Sequence, residues 1–370
     1  MGYQPYTYLV YDLVTNTALG ELPLRQATFN TVLNGVGTLN GQILLSDPVA
    51  QAMDVPAITV PGRTALYVDR GGVLIWGGII WQRTYSVGQN MGYNFTLTIT
   101  ADEFPSYFKQ RILASNRTYT NQDQLFIASD LISYAQLFSS IGVNVPTAGT
   151  SGVLLSESYV GTDYKPFWSM VTEMASGTEG FDAMIDVGYG IGGAAAGVPG
   201  KNLNLSWPRR GTRAPNNGLV LELPGYIAQY CWPEDATKMA NVIYDTGPGT
   251  GSAMLVGFAS DPAPLTAGYP MLEATYSYND SYITQALITD RAQADLKAYE
   301  NGVVLPVVFI VPGAWPNIGD YTVGDDVVIS ITDLRFPSGM STYMRINRID
   351  YTPQDQGRPE IIQLTLGAVP

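Results

Sequence analysis

The chain has 370 residues, enough for about two to four domains, with 46% hydrophobic residues but only 14% charged ones, against a usual value of about 25%. Nineteen basic residues against 32 acidic ones leave a net charge of −13, which argues against a surface that grips nucleic acid by neutralising phosphates, though not against a passage through which it slides. Histidine is absent and Cys231 is the single cysteine, so Ser-His-Asp and Cys-His catalysis, imidazole or multi-thiolate metal sites and intrachain disulfides are excluded.

The start, Met1-Gly2-Tyr3-Gln4-Pro5, lacks the basic and apolar regions of a secretory signal, and no run of about 18 apolar residues is present to span a membrane. Tyr6–Asp12 is rich in strand formers; Thr15-Asn16-Thr17 is a turn; 18–24 is a second strand ending at Pro23. Phe29–Asn34 leads through Gly35-Val36-Gly37 to Thr38–Leu45, where Leu39, Gly41 and Ile43 alternate with polar residues. Ser46-Asp47-Pro48 opens a connector of about one helical turn. The hairpin Ala65–Trp81 is the most informative stretch. Its loop, Arg70-Gly71-Gly72, can reach positive φ, and its second strand is apolar on both faces with Gly77-Gly78 in the middle. Glycines inside a strand predict a bend or bulge, and a bent strand buried on both faces predicts a small closed barrel. Phe95, Leu97 and Ile99 alternate with threonines and complete an all-β region over 1–104.

The middle changes character. Asn121-Gln122-Asp123 can cap a helix over about 123–139, and Thr162-Asp163 a second over about 164–176, with Pro166 in its first turn. Gly180–Val187 alternates as a strand. Gly188-Tyr189-Gly190-Ile191-Gly192-Gly193 comes near a dinucleotide-loop spelling, but Gly197, Pro199 and Gly200 preclude the helix that must follow, so 188–200 reads as a loop or hairpin tip. Strands at Leu203–Trp207 and Leu219–Leu223 flank Arg209-Arg210-Gly211-Thr212-Arg213, the densest positive cluster, which is expected to be a solvated turn. Cys231, ahead of Trp232-Pro233, is expected to be a buried, inert thiol. The Gly- and Pro-rich stretch 245–270 is expected to be an irregular, flexible loop at an interface. Asn279-Asp280-Ser281 should cap a third helix over 282–300, with Ile288, Ala292, Leu296 and Tyr299 on one face and Gly302 closing it. The chain is β again from Val303 to Leu366, with strands at 303–311, 321–332, 342–351 and 360–366 broken by Pro312-Gly313, Pro316-Asn317 and the loop Thr352–Pro359.

Nothing in these residues points to chemistry. The pairs Asp102/Glu103, Glu234/Asp235 and Asp325/Asp326 are adjacent, so in a strand they point to opposite faces and make poor acid–base couples. No Asp-x-Asp-x-Asp spacing suggests calcium. No catalytic, cofactor-binding or metal-ligating residue is predicted, and no cofactor is expected. The 24 tyrosines and the shortage of charge instead point to half-wet, half-dry subunit contacts and hence to an oligomer.

The order of elements resembles the tail-tip hub proteins of bacteriophages: the central baseplate hub of contractile tails and the N-terminal module of tail-associated proteins in long non-contractile tails. Four places carry the resemblance: Leu9–Leu22 with the strand ending Leu44-Leu45-Ser46-Asp47; the hairpin ending Ile75-Trp76-Gly77-Gly78-Ile79; the helix 282–300 followed by Val303–Val307; and Ile318–Val327 with Arg345-Ile346-Asn347-Arg348-Ile349.

The resemblance implies a mainly β (α+β) chain. Two small tube-type β-barrel domains, 1–104 and a discontinuous 216–245 with 303–370, would carry peripheral α+β parts at 105–215 and 246–302. It further implies a homotrimeric ring with pseudo-sixfold symmetry that caps the tail tube. The implied partners are the distal tail ring protein, the tail tube, the tape measure protein and downstream tip or fibre proteins. Genomic DNA would pass through the lumen of a virion tail tip assembled in the bacterial cytoplasm. Carboxylates are expected to face the bore, and Arg209, Arg210 and Arg213 to face outward. A peptidase or fibre region of longer relatives has no counterpart here, so an enzymatic role is not expected. Two rival readings stand: a carbohydrate-binding host-recognition module, which would expose aromatics in a groove, and a carboxylate-dependent cell-wall hydrolase, which would need two acids close together in a cleft.

Overall fold

A computed structural model describes residues 5–88, 94–177, 179–214, 218–278, 283–300, 305–311, 317–355 and 357–369. In chain order the first part holds β1 (Tyr6–Asp12), β2 (Ala18–Glu21), β3 (Arg25–Val32), β4 (Thr38–Leu44), the short helices α1 (Pro48–Gln51) and α2 (Val55–Ile58), β5 (Thr64–Arg70), β6 (Val73–Gly88) and β7 (Asn94–Glu103). The middle adds α3 (Pro105–Gln110), β8 (Arg117–Asp123), α4 (Gln124–Ala135), β9 (Val143–Asn144), β10 (Leu154–Tyr159), α5 (Phe167–Ala175), β11 (Asp182–Tyr189) and β12 (Pro199–Ser206). Then come β13 (Val220–Leu223), β14 (Ile227–Cys231), β15 (Val242–Thr246), β16 (Val256–Ser260), α6 (Ala263–Thr266), β17 (Glu273–Ala274) and α7 (Gln285–Tyr299). The last part is β18 (Val307–Ile310), β19 (Asp326–Ile331), β20 (Met340–Thr352) and β21 (Ile361–Gly367). The chain is mainly β, at 43% strand and 18% helix.

Thirteen strands join in one sheet, in the order β14-β18-β21-β20-β3-β4-β7-β6-β5-β1-β2, with β19 and β13 branching from β20. The join between the two ends of the chain is β20. Its first half pairs with β19 (Asp326↔Arg345 to Ile331↔Met340), while Arg348–Tyr351 pairs with Val32–Phe29 of β3. A register shift between Ile346 and Arg348 separates these stretches along the opposite ladder to β21. Phe29 and Tyr351 stack across the join with ring centroids 4.7 Å apart. One hydrophobic cluster therefore runs from Val10, Leu39 and Leu97 to Leu221, Ile329 and Leu364.

The 65–81 hairpin forms as its sequence dictates, with Gly71 and Gly72 at φ 61° and 90° in a two-residue turn. Its two apolar faces have a cause other than a closed barrel. Leu66, Val68, Trp76 and Ile80 enter the long core, whereas Ala65, Tyr67, Leu74 and Ile79 pack with Phe104, α4, α5 and β11 in a second core. The hairpin is the wall shared by two cores, and among the described residues the hydrogen-bonded sheet path runs from β2 to β14. Nor do Gly77 and Gly78 form a bulge: they pair regularly with Tyr67 and Leu66, and the register shifts fall at Val68/Asp69 and Ile80/Gln82. They are glycines because a Cβ on Gly78 would lie 2.2 Å from the Asp102 carbonyl oxygen, and one on Gly77 would lie 2.8 Å from the Tyr67 ring.

Several local expectations shift. α4 is capped by Asp123, whose carboxylate accepts Leu125 N–H at 2.9 Å, but it stops at Ala135, leaving Leu137 and Phe138 exposed. α5 begins at Phe167, because the extended Pro166 and the residue before it cannot continue a helix; Thr162-Asp163 lie in a separate 3₁₀ turn. α7 is capped by Thr284, which accepts Leu287 N–H at 3.2 Å; Asn279-Asp280-Ser281, Gly302 and Pro312–Pro316 lie outside the described residues. The stretch 245–270 is not an irregular loop: β15 and β16 pair from Val242↔Ser260 to Thr246↔Val256 and pack under α7 around Ile243, Ala259 and Ala292. β15 thus belongs with β16 and β17, although the sequence reading placed it with the second barrel. Cys231 is exposed rather than buried, because it ends β14, an edge strand that pairs with β18 alone among the described residues.

Candidate functional site

The chemistry-bearing residues gather where β3, β11, β19 and β20 meet the segment 207–214. Asp182 opens β11 and is buried there. Its carboxylate accepts Asn34 Nδ2 at 2.8 Å and Arg210 N–H at 2.6 Å, and it pairs with the Arg345 guanidinium from β20. Arg345 is 5% exposed and spends its other donors on Gly324 O at 3.1 Å and Arg210 O at 2.9 Å. Arg210 Nη1 reaches Asp186 at 2.8 Å. Arg209 binds Asp326 through two parallel bonds of 2.6 and 2.7 Å. Asp325 accepts the backbone N–H groups of Thr212 at 2.6 Å and Thr322 at 2.8 Å.

The basic turn is therefore not solvated. Arg209 turns onto the buried Asp326 and Arg210 onto the half-buried Asp186, both more than 20 residues away in sequence, and only Arg213 of the three is exposed. Holding a guanidinium away from water is tolerated here because each faces a carboxylate, although the Arg210 Nε is left without a partner. Asp325 and Asp326, adjacent at the entry to β19, do point different ways, one to backbone amides and one to Arg209. Arg345 was visible in the sequence only as part of a familiar string. Its partner is 163 residues away, and no local spacing announces it.

A second clamp ties β5 to the start of β21. Arg70 donates from Nε and Nη2 to the two Glu360 oxygens at 3.2 Å each, Tyr6 donates to Glu360 at 2.5 Å, and the guanidinium lies 5.6 Å from the Tyr6 ring centre. Burial, with the Glu360 charge beside it, raises the Tyr6 phenol far above its ordinary value.

Between the clamps lies a cavity of about 270 Å³, lined by Glu103, Asp186, Arg210, Tyr321, Tyr351 and Met184 among others. Glu103 accepts Gly37 N–H at 2.6 Å, and burial pushes its carboxyl up to about 8, with the Asp186 and Asp102 charges adding to the shift. Asp102, on the other face of β7, accepts Thr38 Oγ1 at 3.0 Å. The folded state holds a proton on Glu103 that the unfolded chain releases near pH 4.5, so this group's stabilisation is complete below pH 4.5 and is lost as pH rises toward 8. Thermal melts from pH 5 to pH 8 are expected to fall less steeply with pH for Glu103→Gln than for the parent; parallel curves would refute the assignment.

The third acidic pair is exposed, with Glu234 beside Arg335 at 2.5 Å and Asp235 capping Thr237 N–H at 2.8 Å. Among the described residues no group of three or more Cys, Asp or Glu side chains is placed to hold a metal ion, and no helix is long and apolar enough to cross a membrane.

No protein-family model matches this sequence, and no curated protein matches it. Three-dimensional comparison gives a consistent answer. The chain is similar to the tail protein from Neisseria meningitidis MC58, at 11% identity and TM-score 0.58, covering 98% of this chain and 96% of that one. It is similar to the 43 kDa tail protein of prophage MuSo2 from Shewanella oneidensis, at 10% identity and TM-score 0.58, covering 98% and 97%. This chain has the fold of phage tail proteins. Prophage tail protein gp18 from Listeria monocytogenes EGD-e agrees, at 9% identity and TM-score 0.53, covering 97% and 94%. The phage tail fold matches over nearly the whole chain, so the resemblance read from four short stretches holds at the level of architecture.

Proposed function

We propose that this chain is a structural protein of the virion, a tail-tip hub that assembles as a homotrimeric ring. On this reading β1–β7 form one tube-type unit, and β13, β14 and β18–β21 form the other. Three chains then present six units to a sixfold tail tube. The peripheral parts are 105–215 and β15–β17 with α7. The ring caps and continues the tube and leaves a channel for the tape measure protein and DNA.

The observation that carries this reading is the β3–β20 join. It fuses both ends of the chain into one continuous sheet whose two ends, β2 and β14, each have a single strand partner among the described residues. All four residues of β2 are exposed, and bare edge strands of this kind invite pairing with another chain. Head-to-tail contacts between unlike edges close into a ring when the rotation per subunit allows it. Exposed Leu334, Val87, Tyr85 and Phe95 supply further apolar surface for neighbours. A net charge of −13 leaves little for DNA to adhere to.

Native mass spectrometry is expected to give three times the 40.0 kDa chain mass, and Leu19→Lys on the β2 edge is expected to yield a folded monomer with an unchanged melting temperature. A parent chain that is a stable monomer, above all one that binds sugars, would overturn the ring, and a basic bore in the assembled particle would overturn the conduit.

A further inference from the structure

A second concavity, of about 490 Å³, lies between β10, α5 and α7, away from the ionic junction. Its walls include Met170 and Met174 of α5 and Leu287 and Ala294 of α7, with Leu155 and Glu157 of β10 between them. Five carboxylates line it (Glu157, Glu173, Glu179, Asp290 and Asp295) against one cation, Arg291. Glu173 pairs with Lys165 and Arg291, Asp295 accepts the Tyr278 hydroxyl at 2.6 Å, and Asp290 is engaged as well. Glu157 is different. It is 9% exposed, it sits on a groove-lining strand, and its side chain makes no direct hydrogen bond or ion pair among the described residues, although the Arg291 and Lys165 charges act on it from nearby. A carboxylate that opens into a groove without a direct donor offers a place for a further cation.

We propose that this groove receives a lysine or arginine side chain from a segment of a partner polypeptide, with the cationic head on Glu157 and the aliphatic stem between Met170, Met174 and Leu287. Charge complementarity selects a cation, because the groove carries an excess of carboxylates. The methionine walls select an aliphatic stem, since thioether side chains repack around unbranched chains at little cost. The groove is neither enclosed nor flat, which suits a side chain presented on a backbone. This assignment stands independently of ring assembly.

The test is calorimetric titration of the full chain with Ac-Leu-Lys-Leu-NH2, with Ac-Leu-norleucine-Leu-NH2 and with butylammonium. The lysine peptide is expected to bind at least about tenfold tighter than the norleucine peptide, the difference a single charge-assisted contact supplies. Glu157→Gln, which removes the charge at nearly constant shape, is expected to abolish that preference while melting no lower than the parent. Ala294→Phe, which fills the groove from α7, is expected to weaken both peptides. No binding of the lysine peptide at millimolar concentration, equal binding of the two peptides, or an undiminished preference in Glu157→Gln would overturn the proposal. Butylammonium binding as tightly as the lysine peptide would overturn the polypeptide occupant.

Discussion

An Asp182→Ala chain is expected to lose about 3–5 kcal/mol of stability in urea unfolding, the usual cost of removing one partner of a buried ion pair. Asp182 is 4% exposed and answers three donors: Asn34 Nδ2, Arg210 N–H and the Arg345 guanidinium. Its loss leaves the Arg345 charge buried, with only the Gly324 and Arg210 carbonyls as acceptors. Arg345→Met should cost less, because Asp182 keeps two donors, and the double variant should recover much of the loss, since no charge is then stranded. The consequence reaches past the pair. Asp182 holds β11 of the middle part against β20, the strand that also pairs with β3, so its loss loosens a place where all three regions meet. An Asp182→Ala chain within about 1 kcal/mol of the parent would show that the junction is not cooperative.

Gly78→Ala is the second large effect, expected to exceed about 3 kcal/mol or to prevent folding. The added methyl would meet the Asp102 carbonyl oxygen at 2.2 Å and the Trp76 ring at 2.6 Å. Neither can give way cheaply: Asp102 is in the β6–β7 ladder, and Trp76 is 1% exposed with its indole N–H bonded to Asn30 O at 3.0 Å. Two controls separate crowding from backbone strain. Gly88→Ala, with nothing within 4 Å of its new methyl, should be within about 0.5 kcal/mol of the parent. Gly72→Ala, equally uncrowded but at φ 90°, should cost about 1 kcal/mol. Melting temperatures in that order support close packing as the reason for the glycine pair; equal losses at Gly72 and Gly78 would assign the cost to backbone conformation.

Most strands were legible because they carry their own signal. The alternation of Phe95, Leu97 and Ile99 with threonines places one face inside without reference to any partner, correctly for Leu97 and Ile99 but not for Phe95, which is exposed near the strand's start, and Gly71-Gly72 specifies its turn unaided. The caps at Asp123 and Thr284 show the limit of local reading. Asp123 was found because its helix starts at once, whereas α7 starts at the cap nearest its packed face, beyond the first polar cluster upstream. The groove acid Glu157 gave no sign at all, since a lone glutamate in a strand reads as solvent-facing until α5 and α7 are placed over it.

The sequence alone determined the mainly β character, the absence of histidine chemistry and disulfides, and the poverty of charge that points to contact surfaces, because these depend only on which residues exist and on their local periodicity. Its order of elements was enough to bring the phage tail architecture into view. Only the tertiary structure decided what covers the second face of the 65–81 hairpin, where Arg209, Arg210 and Arg345 find their carboxylates, and how β20 joins the two ends of the chain. Each of these rests on partners many residues apart, and the energy that selects them, from burial and from pairing charges away from water, exists only once the surfaces have met.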